Sequence, residues 1–305
     1  MKHLLLASVL LFAIQSLCAQ TISVKVVDSS NSKPLAYAIV LYKKMQRVTY
    51  TDNNGFFSIE KDSLLSGDSA VVQYIGYRDV SIAVSLLKNG MVIAMRPAPS
   101  TLYPVVVTSG CRKWKDITLN KKTGRIKQYI GPGPETKLII IARYNNTSGK
   151  DGFIKKISVL IDEKSLRLQI PVRLHWYDWD ELHNMPGDEL TDTSIIVYPY
   201  KEGWNDFEIP QGTILCNKDF AVLGLEFIYP PEYKQQFDAL QTDKERLRWL
   251  NDLENRWSLA MQYTNEVNEG GFYIINNNEP ERYGKKYDRY YVRPALKFTI
   301  TICAE

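Results

Sequence analysis

Apolar residues recur at alternate positions along most of this chain. Near the start, Ile22, Val24 and Val26 alternate with polar neighbours, the period of a strand with one buried face. A turn cluster, Asp28-Ser-Ser-Asn-Ser-Lys-Pro34, follows. Strand-like runs then recur at 36–42, 47–51, 56–60, 70–77, 80–84 and 91–95. Seven short strands at this spacing, with no long helix-period pattern among them, predict a β-sandwich. Within them, Thr51-Asp-Asn-Asn-Gly-Phe-Phe predicts a tight hairpin. Asn53, Asn54 and Gly55 tolerate positive φ, and Asp52 can accept hydrogen bonds from the turn's amides. Phe57 and Ile59 then share one face and enter the core.

Pro97, Pro99 and Pro104 punctuate a semi-rigid linker at 97–104. The basic stretch after it, Cys111-Arg-Lys-Trp-Lys-Asp with Lys121, Lys122 and Arg125, reads as a solvated loop. Period two then returns. In residues 166–178, Leu166, Leu168, Ile170, Val172, Leu174 and Trp176 hold one parity; Arg167, Gln169, Pro171, Arg173, His175 and Tyr177 hold the other. This predicts a long strand with one buried and one wet face. Similar runs lie at 138–143, 154–161, 194–198, 220–229, 257–263, 271–275 and 296–303. Between Pro231 and Trp257, Phe237, Leu240, Leu247, Leu250 and Leu253 recur at near-helical spacing among helix formers. They predict a helical insertion at about 231–255, packed on the second sandwich.

Three motifs in order carry a resemblance. They are Asp28 with Lys33-Pro34-Leu35-Ala36-Tyr37-Ala38, the turn Thr51-Asp52-x-x-Gly55-x-Phe57, and Tyr74-Ile75-Gly76-Tyr77. With Val105-Val106-Val107-Thr108 as a last strand, residues 21–108 resemble the carboxypeptidase regulatory-like domain. The resemblance implies a prealbumin-like seven-stranded β-sandwich, common in envelope proteins of Bacteroidetes and at the N-terminus of TonB-dependent receptors. It supplies no catalytic residue. Those receptors continue into a plug and a barrel of several hundred residues; only roughly 200 of the 305 residues follow here, so transport is not implied. The order of strand-like runs from 138 onward also resembles a C-terminal β-sandwich found beside that domain in envelope proteins, with no function to transfer. The expected architecture is therefore all-β: a prealbumin-like sandwich at 20–96, the linker, and a jelly-roll-like sandwich with one helical insertion at 105–305.

The N-terminus alters where this fold is expected to work. Met1-Lys-His precedes an apolar run from Leu4 to Ile14, short of the roughly 20 residues that span a bilayer. Leu17-Cys18-Ala19-Gln20 after it reads as the end of a signal peptide at 1–19, with a lipidated Cys18 as the alternative. No other apolar run is long enough to cross a membrane, so the mature chain is expected in the periplasm or at the outer membrane and cell surface. The formal charge is +4, and loss of Lys2 leaves +3, which gives no reason to expect a nucleic-acid partner. Cys111, Cys216 and Cys303 show no CxxC pairing. Cys216 and Cys303 read as small buried hydrophobes, and one bridge among the three is left open.

Catalytic vocabulary is sparse. A zinc carboxypeptidase site needs an H-x-x-E pair and a distant histidine. Here only His175 and His183 follow the leader, with Asp178 and Pro186 three positions on. No G-x-S-x-G elbow, P-loop or G-x-G-x-x-G occurs. The reading is of no enzyme, no catalytic residue, no cofactor and no metal site. Paired carboxylates brought together across strands are the one catalytic arrangement left open. The most site-like segment is His175-Trp-Tyr-Asp-Trp-Asp-Glu-Leu-His183-Asn-Met-Pro-Gly-Asp188-Glu189, which runs off a strand into a loop. Its candidates for ligand contact are Tyr177, Asp178, Trp179 and Asp180, with Trp204 joining them. Aromatic faces stack on sugar rings and carboxylates accept from hydroxyls. Expected partners are a glycan or an outer-membrane protein.

Overall fold

The structure, a computed structural model, describes residues 21–60, 67–98, 111–120, 126–130, 137–161, 171–183, 185–210, 214–229, 231–251, 259–264, 272–276, 279–283 and 291–304. The leader, most of the linker, 105–108 and residues 162–170 of the long strand lie outside the described residues.

Seven strands build an amino-terminal sandwich: β1 (Thr21–Asp28), β2 (Ile39–Tyr42), β3 (Arg47–Tyr50), β4 (Phe56–Glu60), β5 (Ser69–Gln73), β6 (Val80–Ala83) and β7 (Met91–Met95). They form one sheet in the order β4-β1-β7 and another in the order β3-β2-β5-β6. β1 sends Ile22, Val24 and Val26 inward, where they meet Val40, Tyr42, Phe57, Val72, Ile93 and Met95. The motifs quoted above are its corners. Asp28 is buried and accepts from Ser30 N and Oγ (both 2.7 Å), Asn31 Nδ2 (2.8 Å) and the Tyr77 hydroxyl (3.0 Å). Asp52 accepts from the amides of Asn54 and Phe56, each at 2.8 Å.

The turn at 51–56 is not a hairpin, however. β3 pairs with β2, whereas β4 pairs with β1, so the turn carries the chain from one sheet to the other. Of its three permissive residues only Gly55 has positive φ (77°), and a Cβ there would stand 2.6 Å from the Val26 carbonyl oxygen.

The rest of the chain forms a second, larger sandwich. Its strands are β8 (Trp114–Leu119), β9 (Ile126–Ile130), β10 (Leu138–Asn145), β11 (Gly152–Ile161), β12 (Val172–Asp180), β13 (Met185–Glu189), β14 (Ile195–Val197), β15 (Gly203–Glu208), β16 (Leu215–Cys216), β17 (Phe220–Phe227), β18 (Leu259–Thr264), β19 (Phe272–Asn276), β20 (Glu279–Tyr283), β21 (Tyr291–Pro294) and β22 (Leu296–Cys303). One sheet runs β13-β12-β17-β10-β19-β20 with β14 beside β12. The other runs β21-β18-β11-β22-β8, with β15 and β16 on β11 and β9 on β18. Between them Ile140, Tyr144, Leu174, Trp176, Leu223 and Leu225 of the first face Ile154, Ile157, Phe298 and Ile300 of the second.

The expected helical insertion is two helices, α1 (Pro231–Asp238) and α2 (Asp243–Asn251). Thr242 and Glu245 cap α2 reciprocally: Glu245 N donates to Thr242 Oγ1 (3.2 Å) and Thr242 N donates to Glu245 Oε2 (3.0 Å). Tyr233 and Phe237 pack on Trp249, with ring centroids 4.5 and 5.3 Å apart. Leu247, expected in the apolar stripe, is 61% exposed, because the aromatic stripe has taken the buried side.

Two further expectations are corrected. The basic stretch after the linker is not all loop: β8 pairs along β22 from Leu119↔Phe298 to Trp114↔Cys303. Nor is Cys303 a buried hydrophobe, since it is disulfide-bonded to Cys111 across a sequence separation of 192. Among the described residues no helix is long and apolar enough to cross a membrane.

Candidate functional site

On β12 the residues Arg173, His175, Tyr177 and Trp179 share the face that turns away from the core. This was the predicted wet face, and it is not wet. Arg173, His175 and Tyr177 are all buried, because the amino-terminal sandwich lies over one end of the sheet and neighbouring strands crowd the middle. The single carboxylate in the apolar run of β17, Glu226, faces the same way, and it organises the site.

Arg173 Nη1 donates to Glu226 Oε2 at 2.7 Å, and both side chains are 0% exposed. The same guanidinium donates from Nε to Ser194 Oγ at 3.0 Å and from Nη2 to the Tyr37 carbonyl. His175 Nε2 lies 3.1 Å from Glu226 Oε2, and its Nδ1 lies 2.8 Å from Glu189 Oε2. The Tyr50 hydroxyl donates to Glu226 Oε1 at 3.1 Å. A ring with both nitrogens on carboxylate oxygens must carry a proton on each, so His175 is the imidazolium. Two cations, Arg173 and His175, thus face two carboxylates, Glu226 and Glu189.

Burial works against every charge here, and the partners outweigh it. Burial alone would raise the Glu226 pKa; Arg173, His175 and Lys137 instead hold it well below the ordinary carboxylate range. Burial would lower His175, but Glu189 and Glu226 raise it above its usual value. The tyrosine hydroxyls of Tyr50 and Tyr177 are pushed well up, first by burial and then by the glutamates. The consequence for pH has two limbs. A depressed Glu226 contributes stability that is complete above the unfolded carboxylate value of about 4.3 and is lost as pH falls. A raised His175 contributes stability that is complete below the unfolded value of about 6.5 and is lost as pH climbs through the folded one. Melting temperature against pH should therefore crest between about pH 4.5 and 6.5, and His175→Gln should flatten the alkaline limb. A melting temperature that climbs steadily to pH 9 contradicts this account.

Of the sequence-predicted ligand residues, Tyr177 and Trp179 continue along the same face, whereas Asp178 and Asp180 alternate to the other. Tyr177 is buried and stacks on His175, centroids 5.8 Å apart and planes 6° apart. Its ring fills the space a Cβ on Gly224 would need, 3.0 Å away. Trp179 is half-buried; the Arg143 guanidinium lies 5.1 Å from its ring and 3.9 Å from that of Phe220. Asp178 is exposed. Asp180 accepts from His183 at Nδ1 (2.6 Å) and at the backbone amide (3.0 Å), bonds that lower its pKa. Trp204 is not brought to this group. It stands on β15 in the opposite sheet, with the Lys297 ammonium 3.9 Å from its ring.

The residues that sequence reading missed are Arg173, Glu226 and Tyr50; Glu189 closes the site-like segment but was not among its ligand candidates. Two signals pointed to them: one carboxylate in the apolar run at 221–229, and the unbroken apolar run Ile39-Val40-Leu41-Tyr42, which a strand shows when both faces are covered.

What the arrangement can do chemically follows from its occupancy. An imidazolium with both N–H groups engaged neither takes a proton nor binds a metal. The Cys216 thiol is pushed up to about 12 by burial, so it is no nucleophile at neutral pH. Among the described residues no three His, Cys, Asp or Glu side chains gather as a metal-ligand set.

Fold and site together define an all-β protein of two sandwiches, with its ionisable cluster internal and fully partnered. Residues 22–107 match the family model of the CarboxypepD_reg-like domain, and the amino-terminal sandwich is a carboxypeptidase regulatory-like domain. No curated protein matches the chain. Among solved structures it is similar to a clostridial cysteine protease, Cwp84, after propeptide cleavage, at 10% identity and a TM-score of 0.38 over 88% of this chain and 65% of that one. It is likewise similar to the cysteine protease and lectin-like domains of Cwp84, a surface-layer-associated protein of Clostridium difficile, at 10% identity and a TM-score of 0.32, covering 87% and 59%. The chain thus spans less than two thirds of either. At such scores neither likeness bears on the fold or the activity argued here.

Proposed function

We propose that this chain is an exported, non-catalytic binding or scaffolding protein of the cell envelope. Its contact surface is the open end of β12, where Trp179 stands beside Arg143 and Phe220 with Asp178 and Asp180 on either side of it along the strand, and its ligand is carbohydrate. The observation that carries the non-catalytic reading is the capture of both His175 nitrogens by carboxylates, which leaves only His183, itself bonded to Asp180, outside the leader. Export is supported by the apolar N-terminal run and by the Cys111–Cys303 bridge, a bond that persists in oxidising compartments. Tyr177 lies in the buried cluster against which Trp179 and Phe220 pack, and Trp204 belongs to a different surface.

Binding of the oxidised protein to a glycan array, lost on Trp179→Ala and kept on Trp204→Ala, is the expected result. Aromatic stacking is worth about 0.5–1.5 kcal/mol per ring, so the loss should be roughly two- to tenfold. Binding that survives Trp179→Ala, or no glycan bound at all, contradicts the reading.

A second reading has its own observation. On the outer face of the β4-β1-β7 sheet, Phe56 and Val92 are 38% and 56% exposed beside Lys25, whose ammonium lies 5.2 Å from the Phe56 ring. That face would dock an outer-membrane partner. Co-purification of such a partner, unchanged by Trp179→Ala and lost on Phe56→Asp, favours it.

A further inference from the structure

The β3-β2 part of the β3-β2-β5-β6 sheet has two covered faces. Val40 and Tyr42 point into the sandwich core, yet Ile39, Leu41, Val48 and Tyr50, which point away from it, are buried as well. Their cover is the second sandwich. Ile228, 0% exposed just after β17, packs among them, with Ile196 beside it. Exposed together, these side chains would form an apolar patch of the kind that soluble monomers do not leave open.

Polar groups seal the margin of this contact, and each is completed from the opposite sandwich. Tyr50 supplies a hydroxyl to Glu226, and the Tyr37 carbonyl receives Arg173. The Tyr198 hydroxyl donates to that of Tyr37 at 3.3 Å, and the Arg173 guanidinium stands 5.5 Å from the Tyr74 ring. Backbone fit is close too. Gly76, at φ 81°, faces Asp192 so tightly that a Cβ on it would stand 2.0 Å from the Asp192 carbonyl oxygen. Among the described residues no strand pairing joins β1–β7 to β8–β22, and the disulfide links two positions of the second sandwich. Side-chain packing, this margin and the linker are what hold the halves together.

We infer that the two sandwiches are one obligate body, with the amino-terminal sandwich docked permanently, through its β2–β3 face, over the Arg173–Glu226 end of the β12–β17 sheet. The Arg173–Glu226 pair is dry because that cap is in place. An external partner of the first sandwich then meets its β4-β1-β7 face, since the other sheet is already occupied.

The test uses the full oxidised chain carrying a protease site between Thr108 and Cys111, after the last residue of the family match, cleaved after folding. The two pieces should co-elute on non-denaturing size exclusion at the volume of the uncut chain. In Ile228→Asp the nicked pieces should separate, while the uncut variant keeps its β-sheet circular dichroism. Tyr50→Phe, which removes one hydroxyl and no packing, should keep the pieces together but speed their separation on dilution about tenfold. Nicked pieces of the unaltered chain that elute apart, or Ile228→Asp pieces that stay joined, overturn the inference.

Discussion

Arg173→Leu should lower the free energy of unfolding by about 3–5 kcal/mol, the cost of leaving a buried carboxylate without its main counter-charge. Glu226 would keep His175 and the Tyr50 hydroxyl, at 3.1 Å each, and the more distant charge of Lys137. The loss comes from stranding a charge, and it does not measure the worth of the pair. Removing both charges in Arg173→Leu/Glu226→Leu should therefore cost less than the sum of the two single changes, and guanidinium unfolding of the four proteins reads this directly. Single variants within about 0.5 kcal/mol of the parent would mean that water reaches the pair.

Opening the Cys111–Cys303 bridge should have a comparable effect. A covalent loop with a sequence separation of 192 removes chain entropy from the unfolded state, roughly 5 kcal/mol in the loop-closure account. Cys111→Ser should shift the denaturant midpoint down by most of that amount and raise the denaturant slope, because the unfolded chain is freed to expand. Thiol titration of the unfolded, unreduced protein checks the pairing independently. Among the described cysteines it should find the thiol of Cys216 and no other. A midpoint unchanged by reductant contradicts the assignment.

Much of the fold was legible because period-two alternation is a direct record of which strand face is buried. Ile22, Val24 and Val26 on β1, and Phe298, Ile300 and Ile302 on β22, behave as their alternation implies. Alternation fails where polar side chains are buried against one another. Arg173, His175 and Tyr177 read as a wet face, since sequence cannot show that Glu226, nearly fifty positions on, returns beside them. The turn at 51–56 carried the right chemistry for a tight reversal, but pairing is decided by which sheet each strand joins, and that is a tertiary choice. β8 was missed for a related reason. Its residues Lys115 and Asp116 look solvated, and they are; the strand is held by its ladder to β22 and by the bridge at its start. Of the ligand candidates, position on the strand end was readable, whereas the separation of Trp204 onto the other sheet was not.

Among the hydrogen bonds that cross between the two sandwiches, the one from Tyr50 to Glu226 can be removed from either side. A double-mutant cycle on the uncut chain with Tyr50→Phe and Glu226→Gln isolates it, because the two residues belong to different sandwiches and meet at 3.1 Å. A coupling of about 1 kcal/mol or more is predicted, as a buried bond to a charged acceptor contributes. Effects that add to within about 0.3 kcal/mol would show that Tyr50 and Glu226 do not meet in solution, and the docked arrangement would fall with them.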